Sequence, residues 1–169
     1  SFPYTTLFRS KNTLLLKTGD VCQNYMFIHK GIMRSFIVNS EHSEITTNFY
    51  TKNQVAIEQA SFFNRSVSRE NIHTLTDCAV WLVDFEKMNQ HFNNYPEHRE
   101  FGRRLLVRMM VELKERMLLL QTETAENRYL LLIKQNPEIV KHVPLKQIAS
   151  YLGVTDTSLS RIRKNSIKK

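Results

Sequence analysis

Leu145, Ile148, Ala149 and Leu152 recur at i, i+3, i+4 and i+7, a spacing that lines one face of a short helix with apolar side chains. Gly153 stands just past the last of them, where a left-handed backbone conformation ends helices. The chain restarts almost at once. Thr155 is the expected N-cap of a second helix, Asp156 suits its positive end, and Val154 and Leu159 occupy the two positions of a hydrophobic staple. Leu159 and Ile162 then face inward, while Thr157, Arg161 and Lys164 share the opposite face at i, i+4 and i+7. From Val143 to Lys164 the chain therefore reads as two short helices joined by a tight turn, the second with a polar, basic outer face. That is the form of a helix-turn-helix facing a duplex. An ordinary αα-hairpin with solvated charges has the same spacing.

Charge distribution favours the first reading. Residues 11–95 carry 8 Lys/Arg against 8 Asp/Glu, whereas residues 96–169 carry 15 against 8, and from residue 141 onward the count is 7 against 1. The net charge of +8 is thus concentrated at the C-terminal end, the footprint of a phosphate-binding surface.

A chain of 169 residues with 41% hydrophobic content can bury one core or two small ones. No run approaches the roughly 18 consecutive apolar residues of a membrane span, and no secretory signal pattern is present. Cys22 and Cys78 lie far apart without a CxxC pair, which argues against a zinc site or a disulfide framework and for a reducing, cytoplasmic setting. His29, His42, His73, His91, His98 and His142 show neither HxH nor HExxH spacing, so no metal is expected.

Residues 1–10 stand apart. Back-translated, Phe2-Pro-Tyr-Thr-Thr-Leu-Phe-Arg-Ser10 resembles a widely used sequencing-library adapter. The segment is therefore read as non-native and set aside from the fold, with Phe2, Leu7 and Phe8 expected outside the core and native elements before Lys11 missing.

From Leu14 to Val83 short β-prone runs alternate with turn residues. Met26–Ile28 leads through His29-Lys30-Gly31 into a strand at Ile32–Val38, with Arg34 expected to point away from its apolar neighbours. Ile45–Tyr50 alternates, and Ile72–Leu75 and Ala79–Val83 are expected to pair around Thr76-Asp77-Cys78. Strands of this length and spacing predict a small antiparallel barrel or sandwich. Phe85, Met88 and Phe92 return to helical spacing until Asn93-Asn94-Tyr95-Pro96. A long helix is predicted over Glu97–Gln121. Leu106, Met109 or Met110, Leu113, Met117 and Leu120 repeat along it near a period of 3.5, a seam for a second helix. Packing on the chain's own core would use the same stripe. A further helix is predicted at Ala125–Gln135, with the boundary before it at Thr122–Thr124.

The order of β-roll, long helix and helix-turn-helix resembles the Crp/Fnr family of bacterial transcription regulators over Lys11–Lys169. Leu16-Lys17-Thr18-Gly19-Asp20 and Phe27–Arg34 resemble the glycine turns of the cyclic-nucleotide-binding β-roll. Ile148–Gly153 and Thr157–Arg161 resemble the family's helix-turn-helix signature, and ENRYLLL, PLKQIASYLG and SLSRIRK are similar to a branch common in Bacteroidetes. The fold class is accordingly α+β. An antiparallel, jelly-roll-like β-roll is expected at 11–95, a long dimerisation helix at 96–123 and a helical DNA-binding domain at 124–169.

The resemblance implies a homodimer with double-stranded DNA as partner, together with RNA polymerase. It assigns DNA contacts to Thr157, Ser158, Ser160, Arg161, Arg163 and Lys164, and the dimer seam to Leu106, Met109, Met110, Leu113, Met117 and Leu120. A guanidinium at Arg161 can bond guanine O6 and N7 together. Arg163, Lys164 and Lys168 suit phosphates, which position without specifying. At Thr157 many members carry glutamate, so no operator sequence carries over.

The ligand cassette departs further. Ile57-Glu58-Gln59 stands where the family has a Gly-Glu-Leu turn. Ser68 stands at the position of its phosphate-binding arginine, with Arg69 one residue away. A one-residue shift in a strand turns a side chain to the opposite face. Glu58, Ser68 and Arg69 are thus the ligand-site candidates, with Arg65 nearby. Ordinary cyclic AMP binding is not expected, no cofactor is expected, and the effector is unassigned. Two other readings remain: a small-molecule sensor whose C-terminal helices contact protein, and an enzyme on a cupin-like roll, for which the clustered His and carboxylate ligands are missing.

Overall fold

The computed structural model describes residues 4–166. The chain forms two compact units, one up to Asn94 and one from Tyr95 onward. The division falls at the expected end of the β-roll, and the long helix groups with the C-terminal helices.

The first unit is a roll of two four-stranded antiparallel sheets. Strands β1 (Thr5–Arg9), β8 (Cys78–Asp84), β3 (Asn24–Lys30) and β6 (Val55–Ala56) form one sheet in that order. Strands β2 (Leu14–Leu16), β7 (Asn71–Thr74), β4 (Met33–Val38) and β5 (Glu44–Tyr50) form the other. Ile28, Met33, Ile72 and Val80 are among the most completely buried side chains, each contributing roughly 1.5–3 kcal/mol by leaving water. Consecutive strands often change sheets. β3 and β4 lie in different sheets on either side of Gly31, and so do β7 and β8. The expected pairing of Ile72–Leu75 with Ala79–Val83 is thus replaced by pairing of β7 with β2 and β4 and of β8 with β1 and β3. Local alternation marks a strand but does not choose its neighbour.

Arg34 also departs from expectation. It is buried, donating from Nε to Thr46 Oγ1 at 2.9 Å and from Nη1 to Glu44 at 2.6 Å, with its guanidinium 4.5 Å from the Phe36 ring centroid. Burial pulls its pKa down and Glu44 opposes that shift. A charge so placed is tolerable because two of its nitrogens are hydrogen-bonded, one of them to a carboxylate, and the guanidinium lies over a ring.

The segment set aside as foreign does join the fold. β1 pairs along the outer edge of β8 from Thr5↔Leu82 to Arg9↔Cys78. Its apolar side chains stay out of the core: Phe8 is 73% exposed and Leu7 is half-buried. Phe2 lies outside the described residues.

Two helices complete the unit. α1 (Gln59–Asn64) was not expected; it inserts Phe62, fully buried, edge-on to Tyr25, Phe63 and Phe85. α2 (Phe85–Asn94) follows where Phe85, Met88 and Phe92 predicted it.

The second unit opens with α3 (Pro96–Thr122), whose 27 residues include no buried side chain. Then come α4 (Ala125–Gln135), α5 (Pro137–His142), α6 (Leu145–Leu152) and α7 (Asp156–Ser166). α5 was missed because Asn136-Pro137, which ends α4, also starts the next helix with proline at its first turn. Tyr129, Leu132, Ile139, Val143, Ile148, Ala149, Leu152 and Leu159 are the buried side chains of α4–α7 and the turns between them.

Candidate nucleic-acid interface

The turn between α6 and α7 is built from backbone geometry. Gly153 has φ 71° and ψ 34°. Its N–H donates to Ser150 O at 3.2 Å and the Val154 N–H donates to Ala149 O at 3.0 Å, the paired bonds of a Schellman motif. Thr155 then caps α7, its Oγ1 accepting the Ser158 N–H at 3.2 Å and donating to Ser158 Oγ at 2.9 Å. Leu159 is fully buried and Ile162 half-buried, so the inner face of α7 is fixed and the outer face follows from helical period.

Thr157, Arg161 and Lys164 lie on that outer face and are exposed. Ser160, half-buried, sits at its border, and Arg163 is exposed on the flank. Ser158 is different: its hydroxyl and its N–H are both engaged by Thr155, which makes it part of the cap. Lys168 lies outside the described residues. The outer face therefore presents a guanidinium, an ammonium and hydroxyls, all able to donate, with no carboxylate among Thr157, Ser160, Arg161 and Lys164. Such a face suits the O6 and N7 acceptors of guanine and the phosphate oxygens of a duplex.

Along α3, Leu106, Met110, Leu113, Met117 and Leu120 are exposed and Met109 is half-buried. Leu113 is 67% exposed and Met110 64%, large values for apolar side chains on a regular helix. Charged pairs border this stripe, Glu100 with Arg103 at 2.7 Å and Arg104 at 3.1 Å, and Arg108 with Glu112 at 2.8 Å. Hydrogen bonds from Arg103 and Arg104 pull the Glu100 carboxyl down to about 2.

The ligand-site candidates of the roll do not converge. Glu58 is the N-cap of α1, its carboxylate accepting the Ser61 N–H at 2.7 Å. An acid there already uses a donor that a phosphate would need and repels the phosphate's charge. Ser68 is buried, with its Oγ donating to Glu70 O at 2.7 Å and its backbone bonded to Gly19 and Asp20. Arg69 is exposed. Arg65 donates to Cys22 O at 3.0 Å and to Phe62 O at 3.2 Å, bonds Gln23 Oε1, and lies 4.6 Å from the Phe85 ring centroid. A groove of about 310 Å³ lies between Phe8–Ser10, Lys30 and Asp77–Ala79, lined by none of these candidates. Burial pushes the thiols of Cys22 and Cys78 up.

A double-sheet roll followed by a helical unit with two helices joined by a tight glycine turn defines the architecture: a β-roll joined to a helix-turn-helix. The sequence profile of the cyclic nucleotide-binding domain matches residues 8–95, and the chain belongs to that family. Sequence comparison with curated proteins returned no match.

Over nearly its whole length the chain has the fold of Crp/Fnr regulators. It is similar to CLP of Xanthomonas campestris, a c-di-GMP-responsive global regulator, with TM-score 0.75 and 15% identity over 98% of this chain and 87% of that one. It is similar to FixK2 of Bradyrhizobium japonicum, with TM-score 0.78 and 19% identity over 96% and 84%. A Crp/Fnr-family regulator from Eubacterium rectale gives TM-score 0.75 and 16% identity over 98% and 79%.

Proposed function

We propose that this chain is a sequence-specific, DNA-binding transcription regulator acting as a homodimer in the cytoplasm, with RNA polymerase as a further partner. The observation that carries the reading is the outer face of α7, where Thr157, Arg161 and Lys164 stand exposed on a helix whose opposite face is anchored by buried Leu159. Arg161 reads guanine, Thr157 and Ser160 contact neighbouring base edges or phosphates, and Arg163 and Lys164 hold the backbone. Ser158 contributes by capping.

The exposed stripe of α3 supports the dimer. Two copies pairing along Leu106, Met110, Leu113, Met117 and Leu120 place two copies of α7 on one side of the duplex, in successive major grooves. No catalysis is proposed. The roll is a degenerate effector domain: Glu58 at the start of α1, Ser68 tied to its own loop and exposed Arg69 mark the place of the ligand cassette without forming a cyclic AMP site.

The test is selection of sites from a random duplex library, followed by mobility shift over a salt series. Affinity should fall steeply with salt. Arg161→Ala should weaken binding and relax specificity at one base position by roughly 1–3 kcal/mol of discrimination. Equal binding and equal specificity of Arg161→Ala and the parent would refute the assignment.

A further inference from the structure

The long helix α3 carries the dimer stripe, yet none of its side chains is buried. Arginine contacts link it to the C-terminal helices. Arg116 reaches from α3 to the C-terminal turn of α6: its guanidinium lies 4.1 Å from the Tyr151 ring centroid, and Nη2 points to Tyr151 O at 3.4 Å. Arg128 of α4 completes the arrangement, donating from Nη2 to Leu152 O at 2.8 Å and from Nη1 to Glu123 O, the C-cap of α3, at 2.6 Å. Two cations thus sit at the end of α6 where the last carbonyls give the helix its negative pole. The neighbouring turn at Gly153 faces Leu120 of α3, at 3.8 Å from a glycine Cβ position.

We propose that the Arg116–Tyr151 pair is a positioning element that sets the angle between the dimer helix and the reading head, and so the spacing of half-sites the dimer accepts. This rests on the DNA-binding, dimeric reading above. In a two-fold dimer the separation of the two α7 helices follows from the angle at which each head meets its own α3. A ring stacked on a planar guanidinium fixes that angle in a way an ammonium does not. The pair reads no base; its effect is on geometry alone.

The experiment uses the full chain and a selected operator, with a series of duplexes whose half-sites are moved apart or together by single base pairs, and a duplex with one half-site. Sedimentation and far-UV circular dichroism accompany each variant. Arg116→Ala should remain folded and dimeric and bind the single half-site like the parent. Its preference for the best spacing over its neighbours should shrink by about two- to fivefold, the strength of one partly exposed cation–π contact.

Tyr151→Phe, which keeps the ring, should retain the parent's spacing profile, and Arg116→Lys should not restore it. Where Arg116→Ala changes the dimer mass, Tyr151→Leu decides on the same readouts, because it leaves α3 intact. An unchanged spacing profile in Arg116→Ala or Tyr151→Leu, or a Tyr151→Phe profile as flat as theirs, overturns the proposal. Failure of the parent to bind any duplex instead overturns the DNA-binding reading.

Discussion

Gly31 joins the two sheets of the roll, and replacing it by alanine tests whether backbone geometry at that crossing sets the stability of the first unit. At φ 100°, a Cβ at Gly31 would lie 2.5 Å from Asp77 O, 2.5 Å from Cys78 Sγ and 2.9 Å from Cys78 Cα. Neither Asp77 nor Cys78 can withdraw freely. Cys78 begins β8 and pairs with Arg9 of β1, Lys30 of β3 pairs with the next residue, Ala79, and the Lys11 N–H donates to Asp77 Oδ1 at 2.8 Å.

The backbone conformation alone costs an L-residue roughly 1–3 kcal/mol, and forcing extra volume against packed atoms adds about 1–3 kcal/mol. Gly31→Ala should therefore destabilise the roll by about 2–6 kcal/mol, a large part of the roughly 5–15 kcal/mol typical of a domain. Gly19→Ala separates the two contributions. Its φ is 95°, but nothing lies within 4 Å of its Cβ position, so only the conformational cost, about 1–3 kcal/mol, applies. The gain of about 0.4–1 kcal/mol from stiffening the unfolded chain is common to both and cancels in the difference.

Urea unfolding followed by the fluorescence of Trp81, the single tryptophan and a residue of β8, reports on this unit directly. A difference of about 1–3 kcal/mol between the two variants is expected. A Gly31→Ala midpoint no lower than that of Gly19→Ala would refute the steric argument.

Three further outcomes are expected. Thr155→Ala removes the acceptor for the Ser158 N–H and should cost the C-terminal helical unit about 1 kcal/mol, read as a lower thermal midpoint in circular dichroism at helix wavelengths. Met110→Lys with Leu113→Glu places charges in the centre of the α3 stripe and should give a monomer in sedimentation; an unchanged mass would remove the dimer seam. Burial pushes the Tyr25 phenol above the ordinary tyrosine range. The folded state therefore holds a proton that the unfolded chain releases near pH ~10, and this contribution is intact below that pH and is lost progressively as pH rises from there toward the higher folded-state value. The urea midpoint of the parent should fall more steeply with alkaline pH than that of Tyr25→Phe, and parallel profiles would contradict it.

The residues of the candidate interface were legible because their signals are local. Gly153, Thr155 and the alternation of Leu159 and Ile162 with Thr157 and Arg161 determine a turn, a cap and two helix faces within a dozen positions, and the observed bonds follow that reading. For Ser158, spacing shows which way the side chain leaves the helix but not that its hydroxyl accepts from Thr155. α1 escaped notice because six residues are too few to show a period, and α5 because its proline was read only as a stop. Arg116 and Tyr151 stand 35 positions apart, and no pattern in the chain joins them.

Periodicity, glycine placement and charge segregation by themselves determined that the chain carries a β-rich first half, a long helix and a basic helix-turn-helix, because each depends on contacts a few residues apart. Tertiary structure alone decided that β7 and β8 part into different sheets and that Arg34 is buried over Phe36. It also decided that Glu58 caps α1 where a ligand phosphate would need free donors, and that two arginines close on the end of α6. Those outcomes depend on which distant groups meet once the sheets fold over each other and the helices dock, and that meeting is set by burial and hydrogen-bond satisfaction across the whole chain.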